Sequence, residues 1–232
     1  PGLLASCGLL VIDEAHCVSD WGFDFRPDYL RLTRTLMALA PDTPVLATTA
    51  TANERVTADV ARQLGDATLT LRGSLARASL RLAVVPGLDA VARLAWVADA
   101  LAGLTGSGII YVLTVAETER VTAVLRDRGH DVAAYSSVVP TEQREELEER
   151  LKRNELKALV ATSALGMGYD KPDLGFVVHF QAPSSAIAYY QQVGRAGRGV
   201  DEAHAVLLRG HEDRRIQDFF IESAFPPREL VE

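Results

Sequence analysis

Cysteine is nearly absent from this 232-residue chain: Cys7 and Cys17 are the only two, too few for a disulfide framework or a four-cysteine zinc site, so no zinc is expected here. No apolar run approaches the length of a membrane span. Pro1 to Ile12 has no basic flank and runs straight into Asp13, unlike a signal peptide, so the expected location is the cytoplasm and no membrane partner is expected. Positive charge is in deficit. A formal net charge of −7 argues against broad, unspecific polyanion binding, because counterion release by basic residues supplies most of that affinity. Much of the acidity lies in the helix-like stretch Thr141 to Lys157, where Glu142, Glu145, Glu146, Glu148, Glu149 and Glu155 read as one solvated face with a structural role. Internal repeats and low-complexity segments are lacking too. A hydrophobic content of 48% is enough for one large or two modest cores.

An apolar run, Cys7-Gly8-Leu9-Leu10-Val11-Ile12, ends in Asp13-Glu14-Ala15-His16. A buried parallel strand delivers its C-terminal end to the ligand crevice of an open α/β sheet, where metal ions and phosphates are handled. Phosphoryl transfer needs a metal on the β- and γ-phosphates and a water aimed in line with the breaking bond. Asp13 suits the metal, Mg²⁺ held through water, and Glu14, reaching slightly further, suits the attacking water. His16 can pass a hydrogen bond from the nucleotide to neighbouring elements. Taken alone, an Asp-Glu pair is also an ordinary way for a strand to end at the surface.

Trp21, Phe23, Phe25 and Tyr29 then place four of the chain's fifteen aromatics within nine residues that also hold Gly22, Arg26 and Pro27. Aromatic faces interleaved with an arginine make a stacking platform for unpaired bases, each stack contributing about 1–3 kcal/mol. Without further context the same residues serve as a hydrophobic plug over a core. Farther on, Thr48-Thr49-Ala50-Thr51-Ala52 brings hydroxyls to the same sheet edge as Asp13 and Glu14, although threonines there also cap helices. Ala161 to Pro172 follows a strand and carries Gly166 and Gly168, which allow close backbone approach to a polyanion or nucleotide. In Gln191-Gln192-Val193-Gly194-Arg195-Ala196-Gly197-Arg198, two arginines three apart at a helix end can reach a phosphate. Such a guanidinium offsets charge developing at a γ-phosphate and is commonly worth about 10³–10⁵ in rate.

These strings resemble RecQ-type DNA helicases of superfamily 2. Val11 to Tyr29 is similar to that family's hydrolysis motif and aromatic-rich loop, with Ser19, Trp21, Gly22, Asp24, Phe25, Arg26, Pro27 and Tyr29 all fitting and Phe23 standing where a histidine is frequent. Thr49-Ala50-Thr51 is similar to the coupling motif. Ala161 to Pro172 matches a nucleotide and DNA motif apart from Leu165 and Tyr169. Gln191 to Arg198 matches the arginine motif. The poor fits are Ser136-Ser137-Val138, where His-Ala-Gly is usual, and Gly199-Val200, where Asp-Gly is usual.

The resemblance implies an α/β fold of two RecA-like parallel-sheet lobes, with ATP between them, and 3′ to 5′ translocation on single-stranded DNA in repair and recombination. It implies catalysis by Asp13, Glu14, His16, Arg195 and Arg198, with Gly168, Asp170, Gln191, Arg195 and Arg198 on ATP. DNA contact and coupling fall to Trp21, Phe23, Phe25, Arg26, Thr49, Thr51 and Thr162. The expected partners are single strands and DNA junctions, and the expected cofactors are ATP and Mg²⁺. An arginine-rich, lysine-poor composition fits a GC-rich bacterial source, hence the nucleoid.

Strand and helix alternate along the chain. Strands are expected at Leu9 to Ile12, Pro44 to Ala47, Leu80 to Val85, Ile109 to Leu113, Val132 to Tyr135, Ala158 to Ala161, Phe176 to Phe180 and Ala203 to Leu208. Helices are expected between them, from Asp28 to Leu39, Asn53 to Leu64 and onward. Residues 1–75 form the rear part of a first lobe, 76–212 a second, and 213–232 a helical tail, with the connector near Gly73 to Ser79. No Gly-x-x-x-x-Gly-Lys-Ser/Thr occurs in the 232 residues, so the loop that cradles the phosphates is missing. The expectation is a fragment that by itself hydrolyses ATP poorly or not at all and exposes sheet and core in its first lobe. The alternatives are an RNA-directed DExH ATPase, or a degenerate scaffold that binds nucleic acid or a partner without turnover.

Overall fold

Short strands rich in Val, Leu, Ile and Ala alternate with helices, and among the described residues every strand pairing is parallel, so the chain is α/β. The structure, a computed structural model, describes residues 6–18, 42–50, 53–65, 67–74, 76–165, 169–210 and 212–224. Trp21, Phe23, Phe25, Arg26, Thr51, Gly168 and the helix expected over Asp28 to Leu39 lie outside the described residues. The chain divides into two compact units, Pro1–Ala76 and Arg77–Glu232.

In the first unit, β1 (Leu10–Ile12) pairs with β2 (Val45–Ala47), Leu10 opposite Val45 and Ile12 opposite Ala47. Asn53 caps α1 (Glu54–Leu64) by accepting from the Val56 amide. Because strand side chains alternate, Ile12 turns toward Val56 and Val60 of α1, whereas Val11 and Leu46 point the other way and remain about half exposed, at 53% and 49%.

The second unit is built on a six-stranded sheet. Its strands are β3 (Leu80–Pro86), β4 (Ser107–Tyr111), β5 (Val132–Tyr135), β6 (Ala158–Ala161), β7 (Leu174–His179) and β8 (Ala203–Arg209), in the order β3-β8-β7-β4-β6-β5. Strands β4, β6 and β7 are buried along their whole length, the pattern of a sheet covered on both faces. On one face, Val97 and Leu101 of α2 (Ala90–Ala100) and the residue after it join Val121 and Leu125 of α3 (Val115–Asp127) against Ile110, Val160 and Val178. On the other, Leu147 and Leu151 of α4 (Thr141–Lys152) pack with Ile109, Tyr111, Leu159 and Val177, and α5 (Ala186–Val193) leads into buried Ala196.

The acidic helix stops at Lys152 rather than Lys157. Asn154 adopts φ 59°, a left-handed turn that asparagine tolerates, after which Leu156 is buried and Lys157 enters the sheet by donating to Asp131 O at 2.6 Å. Nor is its acidic face wholly solvated: Glu148 is half-buried and accepts from Tyr135 Oη at 2.5 Å. The last helix, α6 (Asp213–Ala224), is anchored through buried Arg93 of α2, which donates to Asp213 Oδ1 and Phe180 O, both at 2.7 Å, and pairs with Glu212. Among the described residues no helix is long and apolar enough to cross a membrane.

Candidate functional site

Asp13 and Glu14 follow β1, and Thr48 follows β2, so parallel pairing brings the two motifs to one sheet edge. The backbone laces them together: Thr48 N donates to Ile12 O and Ala15 N to Thr48 O, each at 2.9 Å. Thr48 Oγ1 donates to Asp13 Oδ1 at 2.8 Å, and the Glu14 amide reaches the same oxygen at 2.9 Å. These two bonds, the hydroxyl's foremost, hold the Asp13 carboxyl below the usual range and keep it charged at neutral pH.

Glu14 itself sits at φ 50°, in the left-handed region, which aims its side chain back across the turn Ala15–Val18. Its Oε2 is buried, lies 3.1 Å from His16 Nδ1 and has no hydrogen-bond partner. His16 Nδ1 is also 3.1 Å from Thr49 Oγ1. One imidazole nitrogen therefore faces a carboxylate and a hydroxyl together. Thr48 belongs to the threonine-rich string expected at this sheet edge, and the structure adds that its hydroxyl is the one that fastens Asp13.

In the second unit the same logic applies. The carboxyl ends of β4, β6 and β7 lie side by side, and the functional loops leave from them. Thr162 follows β6, is 9% exposed, and its Oγ1 accepts from Ala164 N at 3.3 Å. Gln191 is on the last turn of α5, half-buried. Arg195 donates from Nη1 to Tyr169 O at 3.1 Å, and Arg198 from Nη1 to Asp170 Oδ1 at 2.8 Å. The motif residues Asp170 and Arg198 are thus brought together as an ion pair. The Arg195 guanidinium lies by the Tyr111 hydroxyl, whose pKa burial pushes up to about 12, with the arginine pulling the other way.

This arginine loop is fastened by residues of the expected connector. Arg77 Nη1 donates to Gly194 O at 2.9 Å and Ala196 O at 2.7 Å, and Ser79 Oγ to Gly197 O at 2.6 Å. Gly197, at φ 72°, must be glycine both for its backbone and because a Cβ would come 2.8 Å from Ser79 Oγ.

A family model described as DEAD/DEAH box helicase matches residues 2–60, and one described as helicase conserved C-terminal domain matches 92–200. The chain is 38% identical over 210 residues to the ATP-dependent DNA helicase RecQ of Pasteurella multocida, covering 89% of this chain and 33% of that protein. Among solved structures, Saccharomyces cerevisiae Dbp5 bound to RNA and ADP BeF3 superposes with a TM-score of 0.72 at 21% identity, over 95% of this chain and 57% of that one, a likeness of fold alone. The Mycobacterium smegmatis helicase Lhr bound to single-stranded DNA and AMP-PNP gives 0.69 at 28% identity, over 90% and 29%. The chain spans about a third of the length of the bacterial relatives it matches. Its two units accordingly have the RecA-like fold, and the chain belongs to the RecQ-type family of DEAD/DEAH-box helicases.

Proposed function

We propose that this chain supplies hydrolysis and coupling residues of an ATP-dependent 3′ to 5′ DNA helicase acting on single strands and DNA junctions. The observation that carries the reading is the carboxylate pair at the edge of the first sheet. Asp13 is charged, exposed and fixed by Thr48, while Glu14 holds a buried oxygen with no hydrogen-bond partner beside His16.

Those residues fit the chemistry. Among the described residues no group of three or more His, Cys, Asp or Glu could hold a metal unaided. Mg²⁺ ordinarily needs only one or two carboxylates plus water and substrate phosphates, and Asp13 offers one. When bound, the ion offsets charge on the β- and γ-phosphates. Glu14 Oε2 orients a water and accepts its proton; the left-handed backbone and the His16 contact set its direction. Arg195 and Arg198 reach phosphate oxygens, exchanging the Tyr169 carbonyl and Asp170 carboxylate for them. Thr49, on His16, relays the state of the hydrolysis motif to the segment that contains Thr51. Trp21, Phe23, Phe25 and Arg26 stack on unpaired bases, with Thr162 at the DNA backbone and Gly168 and Gln191 at the nucleotide.

Identity to named DNA helicases over most of the chain favours DNA over RNA as the activating polymer. ATP hydrolysis by the purified chain, with single-stranded DNA, with RNA and with neither, tests this. The 232 residues alone are expected to show no turnover, because they contain no phosphate-cradling loop. With a P-loop-bearing segment joined upstream, hydrolysis should rise with DNA and fall at least about a hundredfold in Glu14→Gln. Activation by RNA instead, or silence in the joined protein, would sink the proposal.

A further inference from the structure

Arg77 opens the second unit, next to the connector from the first, yet its guanidinium is bonded 117 and 119 residues away, to the carbonyls of Gly194 and Ala196. Those carbonyls flank Arg195. The Gly194 carbonyl also accepts from Arg198 Nε at 3.2 Å, so one oxygen organises two guanidinium groups, one from the connector side and one from the motif. Two residues on, Ser79 holds Gly197 O through its hydroxyl and accepts from Ala203 N at 2.8 Å through its carbonyl. The short segment 77–79 thus grips three successive points of the loop, at residues 194, 196 and 197.

We propose that Arg77 is a positioning residue for the arginine loop: it fixes the backbone from which Arg195 and Arg198 project, so the connector's conformation is felt at both arginines. The inference rests on the assignment of those arginines to nucleotide chemistry.

The physical case is one of satisfaction and reach. Residues 194–199 contain three glycines, whose backbone freedom would otherwise spread the two long side chains over many directions. Helix α5 ends at Val193, and the amides of Gly194, Arg195 and Ala196 close on the carbonyls of Tyr190, Gln192 and Val193, so the Gly194 and Ala196 carbonyls beyond them are the ones that Arg77 holds. Both bonds leave from Nη1, whose two hydrogens lie fixed in the guanidinium plane, whereas a lysine ammonium has donors enough for two carbonyls but a shorter stem and a freely rotating head, so it holds them less firmly. Arg77 is exposed, so its replacement leaves no buried charge and no core cavity. A change at Arg77 can therefore be read at the loop without unfolding the unit.

The test uses the purified 232-residue chain with Arg77→Met, which keeps an apolar stem and loses the donors, and Arg77→Lys, which keeps charge. Backbone hydrogen exchange is followed in 194–199 and, as reference, in β4 and β7. Phenylglyoxal adducts are followed at Arg195 and Arg198, with Arg153, whose ion pair with Glu155 involves neither Arg77 nor the loop, as control. In Arg77→Met, exchange in 194–199 is expected to quicken by about tenfold or more while β4 and β7 hold. Adduct formation should change several-fold at Arg195 and Arg198 and stay constant at Arg153, with Arg77→Lys falling between the two. Unchanged exchange and labelling in the loop would overturn the inference, and so would an equal rise in β4, which would mark general loosening. Neither readout uses ATP turnover, so these results stand apart from success or failure of the helicase assay.

Discussion

Single residues here do opposite things with burial. Asp13 stays exposed and charged, its pKa lowered by the Thr48 hydroxyl, whereas His179 is fully buried and kept neutral. His179 stacks on Tyr111 with centroids 5.5 Å apart, and its Nε2 lies 2.8 Å from Gln192 Oε1. Since that oxygen only accepts, Nε2 carries the proton and buried Nδ1 is left without a partner. Desolvation, only partly opposed by the Gln192 bond, pushes the pKa from 6.5 down to about 4. The unfolded chain takes up a proton as pH falls below 6.5, and the folded chain does so only near 4. The stability contributed by the neutral ring is therefore whole above 6.5 and is lost between 6.5 and 4, on the order of 3 kcal/mol. Denaturant midpoints measured across that window should fall more steeply for the native chain than for His179→Gln. Equal slopes would place the proton uptake elsewhere.

At the scale of elements, the sequence was most readable where local rules and packing agree. The α1 cap at Asn53, the α5 cap at Ser185 and the apolar strands all follow from residue type and spacing. The acidic helix is five residues shorter than its composition suggests, because Arg153 to Lys157 continues a helix-compatible composition. Burial of Leu156 and pairing of β6 decided its end. Sheet order depends on contacts distant in sequence too. Gly108 in β4 shows the tightness of the result, since a Cβ there would overlap the Phe176 ring on β7. Gly108→Ala should cost about 1–3 kcal/mol of second-unit stability, measured by chemical denaturation, because an overpacked ring has no low-energy rotamer to adopt. A neutral result would mean that the two strands can separate without strain.

For the whole molecule, the two units differ in how their sheets are covered. The second has helices on both faces of six strands, while the described first unit has two short strands with a single packed face. An isolated pair of strands is marginal in water. Amides of Leu10–Ile12 and Val45–Ala47 should thus exchange faster than those of Ile109–Tyr111 and Leu159–Ala161, by at least about a hundredfold. Hydrogen exchange on the purified chain checks this, and equal protection would show that the first sheet is covered after all.

Residue order alone carries the chemistry: which carboxylates, hydroxyls and arginines are present, their place at strand ends, and the family they mark. Short spacings and strand or helix periodicity are local, so they survive without coordinates. Which of these groups hold one another is set by the folded arrangement. Thr48 on Asp13, Arg198 on Asp170, Arg77 on the carbonyls flanking Arg195 and Arg93 under α6 all join residues far apart in the chain. Such pairings arise from sheet order and close packing, in which each contact depends on all the others, and no local stretch of sequence contains that information.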